Sequence, residues 1–165
     1  MIHAASVVAM DRTLGALSSI LNKAEAHCDA KTIKPEALLG FRLFPDMFPF
    51  TRQVQLACDF AARTAARLAG EEPKSFADTE VSFAELQGRI AAVRAYMASF
   101  PASAYDGAET RAVTIKMRGE DVTMPGLSYL TVYSLPQFHF HATTAYNILR
   151  HNGVEIGKRD YMAAV

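Results

Sequence analysis

The stretch 4–28, AASVVAMDRTLGALSSILNKAEAHC, decides the fold. Starting one residue before it, His3, Val7, Met10, Leu14, Leu17, Leu21, Ala24 and Cys28 recur at alternating steps of four and three. That spacing matches the turn of an α-helix and gathers all eight on one face. A helix with one apolar face draws its stability from packing that face, so this one needs partners.

Outward from there, two similar stripes follow. Pro35 opens a short helix through Glu36 to Leu39. A second long helix is expected from Asp46 as N-cap, with Pro49 in its first turn. Its stripe is Met47, Phe50, Val54, Ala57, Ala61, Ala65 and Leu68, and Gly70 ends it before a loop from Glu71 to Glu80. The alanines permit close helix approach. Ser82-Phe83-Ala84-Glu85 is a capping box for a third helix with stripe Phe83, Leu86, Ile90, Val93, Met97 and Phe100, stopped by Pro101.

The period then changes to two. Val113, Ile115 and Met117 alternate with Thr114 and Lys116, and Gly119 offers a turn into Asp121 to Met124, which predicts a small hairpin. Leu127 to Leu135 fits either a strand or a helix. A final long helix is expected to about His151, with Ser134 and Gln137 as capping box and Gly153 as its stop. Residues 154–165 read as a tail packed on the bundle or on a partner. Four stripes that must cover one another define an all-α four-helix bundle, one domain over residues 1–165. About 30 residues separate the third and fourth long helices, too many for plain up-down topology with short loops.

Composition narrows the function. Seventeen Lys and Arg balance seventeen Asp and Glu, so the formal charge is zero, against a general grip on nucleic acid or anionic lipid. The two cysteines, Cys28 and Cys58, lie in unrelated segments with no CxxC pair, and read as small buried hydrophobes. The start lacks a basic n-region and Asp11 and Arg12 interrupt its apolar stretch, so neither a signal peptide nor a membrane span is expected. A cytoplasmic protein is the expectation.

Five histidines carry most of the chemical interest. Gln137 and His141 are one helical turn apart on a face continued by Ala145 and Ile148, which turns His141 toward the core. His139 lies about 200° from His141 around the helix, so the HFH triplet cannot chelate one ion. His3 reads as a packing residue, and His27 and His151 sit near helix C-termini, where a cation is favoured. On the second long helix Gln53 is the polar residue nearest the inward stripe. Gln55 is expected on a solvated face with Arg52, Asp59 and Arg63.

Two segments, LFPDMFPFTRQVQLACDFA (43–61) and LPQFHFHATTAYNILRHNGVEIGK (135–158), resemble an uncharacterised branch of the DinB/YfiT-like superfamily, and the likeness spans nearly the whole chain. The resemblance implies a four-helix bundle with a long connection between its third and fourth helices. Many members hold a divalent metal with one His from the second helix and an HxxxH pair from the fourth. Some are thiol-dependent transferases or isomerases using bacillithiol, mycothiol or glutathione. Leu149-Arg150 and Gly153 align the second histidine of that pair with His141, which leaves Gln137 and Gln53 at the other two positions.

Zinc, nickel and iron favour imidazole, thiolate or carboxylate, and a neutral amide oxygen is a much weaker donor. Three readings follow for Gln53, Gln137 and His141: a degenerate metal site, a hydrogen-bonded core network, or the polar contacts of a small-ligand pocket. The functional expectation is a DinB-like binding or interaction module without a tight metal, forming a homodimer. Its aromatics outside the stripes, Phe48, Phe60, Phe140 and Tyr146, supply the apolar surplus for a dimer face. The alternative is a metal-dependent thiol S-transferase or isomerase with its ion on His141.

Overall fold

The structure, a computed structural model, describes residues 1–162; the last three residues of the expected tail lie outside it. Helix α1 (Ala9–Lys31) continues directly from a π-helical first turn, Ala4–Val8. Its stripe from Val7 to Cys28 is buried and His3 is half-buried. By length and a mean hydropathy of 1.2 over its most apolar window, this helix could cross a bilayer. Its apolar face instead lies against the other long helices.

After the short α2 (Pro35–Leu39), helix α3 (Phe50–Ala69) begins four residues later than the Asp46 cap expected from sequence. The cause is local. Proline disfavours helical backbone in the residue before it, so Phe48 cannot precede Pro49 within a helix. Phe44 to Met47 form a turn instead, closed by Met47 N–H donating to the Phe44 carbonyl at 3.0 Å. Gly70 ends α3 at φ 85°, a left-handed value for which glycine carries no Cβ penalty.

Helix α4 (Phe83–Ala98) is capped as expected by Ser82, whose Oγ accepts the Glu85 N–H at 3.2 Å. Glu85 reaches back one residue further than a regular capping box, accepting the Val81 N–H at 2.6 Å. The long connection holds a 3-10 turn (Ala102–Tyr105) and the hairpin β1 (Ala112–Met117) and β2 (Glu120–Pro125), paired antiparallel with Ile115 opposite Val122. Arg118 and Gly119 turn the hairpin, both at positive φ.

The ambiguous stretch is helical. A short α5 (Gly126–Ser128) and a π-helical turn (Tyr129–Ser134) run without a break into α6 (Leu135–His151). Ser134 is therefore not an N-cap. It is buried inside the continuous helix, where its hydroxyl bonds to that of Thr64 on α3. The π turn sits just before Pro136, whose ring lacks an N–H and crowds the preceding turn in a regular α-helix. Gly153 stops α6 at φ 85°, Val154 and Ile156 are buried, and α7 (Lys158–Met162) lies on α1, where Lys23 pairs with Asp160 at 2.6 Å. The described part of the tail, to Met162, thus packs on its own chain.

Helix α3 touches α1, α4 and α6 and has fourteen buried residues of its twenty. The loop after Gly70 covers its remaining face. This corrects the expectation for Gln55 and Asp59, which are buried and not solvated.

At the base of the hairpin the two ends of the connection pass close together. A Cβ added at Gly126 would meet the Ala108 carbonyl oxygen at 2.0 Å, whereas one added at Gly88, within α4, would meet nothing within 4 Å. We expect Gly126→Ala to destabilise by about 1–3 kcal/mol, as overpacking does. Gly88→Ala should stabilise by about 0.5–1 kcal/mol through helix propensity. Urea denaturation of both reads the contrast, and an unaffected Gly126→Ala would refute the close approach.

Candidate functional site

His141 faces inward from α6 toward the first two turns of α3. Its Nδ1 lies 2.8 Å from Oε1 of Gln53, and Gln53 Nε2 donates to the Phe48 carbonyl at 3.1 Å. The second bond fixes the amide: its NH2 end must face the carbonyl, so its oxygen faces the imidazole. His141 therefore carries its proton on Nδ1 and presents an unprotonated Nε2. That nitrogen has no hydrogen-bond partner among the described residues, yet it is not among the buried polar atoms sealed without one. Pro49 contributes indirectly, since the extended start it imposes leaves the Phe48 carbonyl free of the helical ladder.

Aromatic rings frame the imidazole. Phe60 stacks on it at 5.8 Å between centroids and 15° between planes, and Phe140 meets it edge-on at 5.3 Å and 86°. Tyr133 packs edge-on against Phe60 at 6.0 Å. His141 is only 7% exposed and Gln53 1%. Burial, with a smaller contribution from the Arg52 guanidinium, holds the His141 pKa below the usual imidazole range and favours the neutral ring.

The structure thus brings together two of the three residues singled out from sequence. Gln137 is half-buried and makes no side-chain hydrogen bond among the described residues. His139, as the helical geometry required, points elsewhere, with Nδ1 3.4 Å from the Tyr161 hydroxyl. Cys28 and Cys58 are free and buried, and burial pushes the Cys58 thiol up to about 12, which leaves it unreactive.

A second polar cluster was missed. Arg89 on α4 has 2% of its side chain exposed and pairs with Asp59 of α3 at 2.5 Å, Glu80 at 3.1 Å and Asp78 at 3.2 Å. It also donates to the Ala77 carbonyl at 2.8 Å, strapping the 71–81 loop across α3 and α4. The signal was legible: Arg89 stands three residues after Leu86 and four before Val93, inside the buried stripe. Its role is structural, because all its partners are the chain's own loop and helix.

Fold and site together define a DinB-like helical bundle with a polar pair between its second and last long helices. The chain belongs to the family described as Domain of unknown function (DUF1993), whose model matches residues 2–162. It is similar to a crystal structure of a DinB family member protein from Shewanella denitrificans, with 38% identity and a TM-score of 0.94 over 100% of this chain and 93% of that one. No curated protein matches the chain.

If the pair is a unit, removing one member strands the other in the core. His141→Leu and Gln53→Leu should each cost roughly 1–3 kcal/mol, with the double variant losing clearly less than the sum. The His141→Leu and Gln137→Leu pair should be additive. Denaturant titration of both cycles tests this, and coupling to Gln137 instead of Gln53 would contradict the assigned contact.

Proposed function

We propose that this chain is a small-molecule-binding member of the DinB-like bundles and not a metal-dependent enzyme. The observation that carries the reading is the double engagement of Gln53, whose oxygen accepts from His141 and whose nitrogen donates to Phe48. An amide committed at both ends, beside an imidazole protonated on Nδ1, is a poor cage for zinc, nickel or iron. Among the described residues no three His, Cys, Asp or Glu side chains cluster as metal ligands. His141 Nε2 would be one ligand without two companions. The donor set does not fit the superfamily's metal, and the thiol-transferase alternative lacks the group that would polarise its substrate.

The same arrangement suits a neutral ligand. A rigid, uncharged hydrogen-bond acceptor flanked by Phe60 and Phe140 is the usual make-up of a small-molecule site, with few polar groups set among apolar ones. The ligand class is a compact apolar or aromatic molecule carrying one N–H or O–H donor. Without a metal or a reactive thiol, binding and not turnover is the proposed activity, and the proposed compartment is the cytoplasm.

Elemental analysis of protein purified without an affinity tag tests the reading. The expected metal content is far below one ion per chain. Stoichiometric zinc, nickel or iron that is lost on His141→Ala would overturn it in favour of the enzyme.

We further propose a homodimer through the aromatic rim of this site. Phe60 and Tyr146 are covered within one chain, the latter by Tyr161 at 5.8 Å, but Phe44, Phe48 and Phe140 are 64%, 53% and 56% exposed. A twofold contact would cover them. Sedimentation at micromolar concentration should give twice the chain mass, reduced to the monomer by Phe140→Asp; a monomer throughout would remove the dimer.

A further inference from the structure

The C-terminal end of α3 borders a cleft of about 480 Å³. It lies roughly 20 Å along that helix from Gln53, at the other end from the His141 pair. Its lining comes from the helix end at Arg67, from Glu71 and Glu72 of the following loop, and from residues 111–114 at the start of β1. The volume suits a small molecule. The lining is polar and charged, which selects for a ligand that carries charge.

Arg111 is held by neutral groups. Its Nη1 donates to the carbonyls of Leu68 and Ala104, the latter at 3.1 Å, and its Nη2 to that of Asp106 at 3.4 Å. These bonds fix the guanidinium plane and leave its charge without a carboxylate partner among the described residues. A guanidinium has five N–H donors, so the Nε–H and one on Nη2 stay unused. Nε lies 3.5 Å from where a Gly70 Cβ would stand, and Gly70 lines the cleft. Arg67 likewise meets no carboxylate: it donates to the Tyr129 hydroxyl at 3.3 Å and sits over that ring at 5.8 Å. Glu71 and Glu72 are exposed, and their carboxylates have no hydrogen bond or ion pair among the described residues. Two cations and two anions thus share one cleft without neutralising each other. The strand beside them has a free edge, because β1 pairs only with β2. The two-residue turn at Arg118 and Gly119 makes Met117 and Glu120 a hydrogen-bonded pair. Alternation along the ladder then turns the N–H and C=O of Ala112 and Thr114 away from β2, and no other described segment takes them up.

We propose that this cleft binds a short peptide with both ends free, of dipeptide size, laid along the outer edge of β1 as a third strand. Its carboxylate sits on the Nε edge of Arg111 and on Arg67, its ammonium meets Glu71 and Glu72, and its peptide group pairs with Ala112 or Thr114. A simple anion would face the two glutamates and a simple cation the two guanidinium groups, so a ligand of both signs is the one that satisfies all four. An extended dipeptide is about 7 Å long, the scale of the cleft. The site is separate from the His141 pair, and its success or failure leaves that reading untouched.

The test uses L-alanyl-L-alanine and the 15N-labelled full chain, read by amide shifts at neutral pH and low salt. The N-acetylated dipeptide and the dipeptide amide each remove one end charge, and free alanine removes the peptide group. The dipeptide should give saturable shifts confined to residues 67–73 and 111–114, and should slow hydrogen exchange at the Ala112 or Thr114 amide. It should bind about fivefold or more tightly than each comparator, the worth of roughly one exposed ion pair. Arg67→Gln, which keeps a donor for Tyr129, and the double variant Glu71→Gln with Glu72→Gln should each weaken it by about the same factor. If Arg67→Gln unfolds the chain, the exposed glutamate pair carries the comparison. No saturable shift at these residues, or binding indifferent to the variants, would overturn the proposal. The N-acetylated dipeptide binding as tightly as the free one would overturn it in favour of a simple anion site, and alanine binding as tightly would overturn the added strand.

Discussion

The constraint on which the structure depends is that α3 is buried on almost every side. Ordinary surface helices hide one stripe and solvate the rest. Here α1, α4 and α6 take three sides and the 71–81 loop takes the fourth. Ala57, Ala61, Ala62, Ala65 and Ala66 make this possible, because only small side chains let several backbones approach one helix together. The consequence is chemical. Each polar side chain on α3 must find its partner within the protein, since buried groups left unpaired are costly. Gln53 finds His141, Gln55 finds Glu80 at 2.8 Å, Asp59 finds Arg89, and Thr64 finds Ser134.

Those four pairings distribute structure and function. The Asp59–Arg89 pair is deep and belongs to a larger ion network, with Glu80 and Asp78 also on Arg89 and Arg63 also on Asp59. Its partners are all the chain's own, and the one atom left unpaired, Arg89 Nε, is sealed in the interior. The Gln53–His141 pair differs, because one nitrogen of the imidazole is not used by the protein. The proposed ligand site needs a satisfied framework with one valence left over, which in that proposal is His141 Nε2. The aromatic rim around it, buried at Phe60 and open at Phe48 and Phe140, is where the bundle's packing gives way to surface.

Local chemistry was mostly legible. The stripes of α1 and α4, the glycine stops at Gly70 and Gly153, the Ser82 cap and the hairpin around Gly119 all obey short-range rules of spacing, capping and turn geometry. Two boundaries went astray for identifiable reasons. Asp46 looked like a cap, but the restriction that Pro49 puts on Phe48 overrode it. Ser134 and Gln137 looked like a capping box, but burial of Tyr129, Leu130 and Ser134 against α3 carried the helix through the site. A π turn accommodated Pro136 there, and residue propensity does not announce such a turn.

By itself the sequence determined the number of long helices, their buried faces, and the presence of one inward histidine on the last of them. These follow from periodicity, which is a property of each segment alone. Only the tertiary structure decided which amide His141 meets. Gln137 was the nearer candidate along the chain, one turn away on the same helix, yet the partner is Gln53, 88 residues distant. Periodicity assigns a residue to a face but not to a height on the neighbouring helix. That height is set by where α3 starts, and the start is set by Pro49 and by the packing of Phe50 at the base of the core.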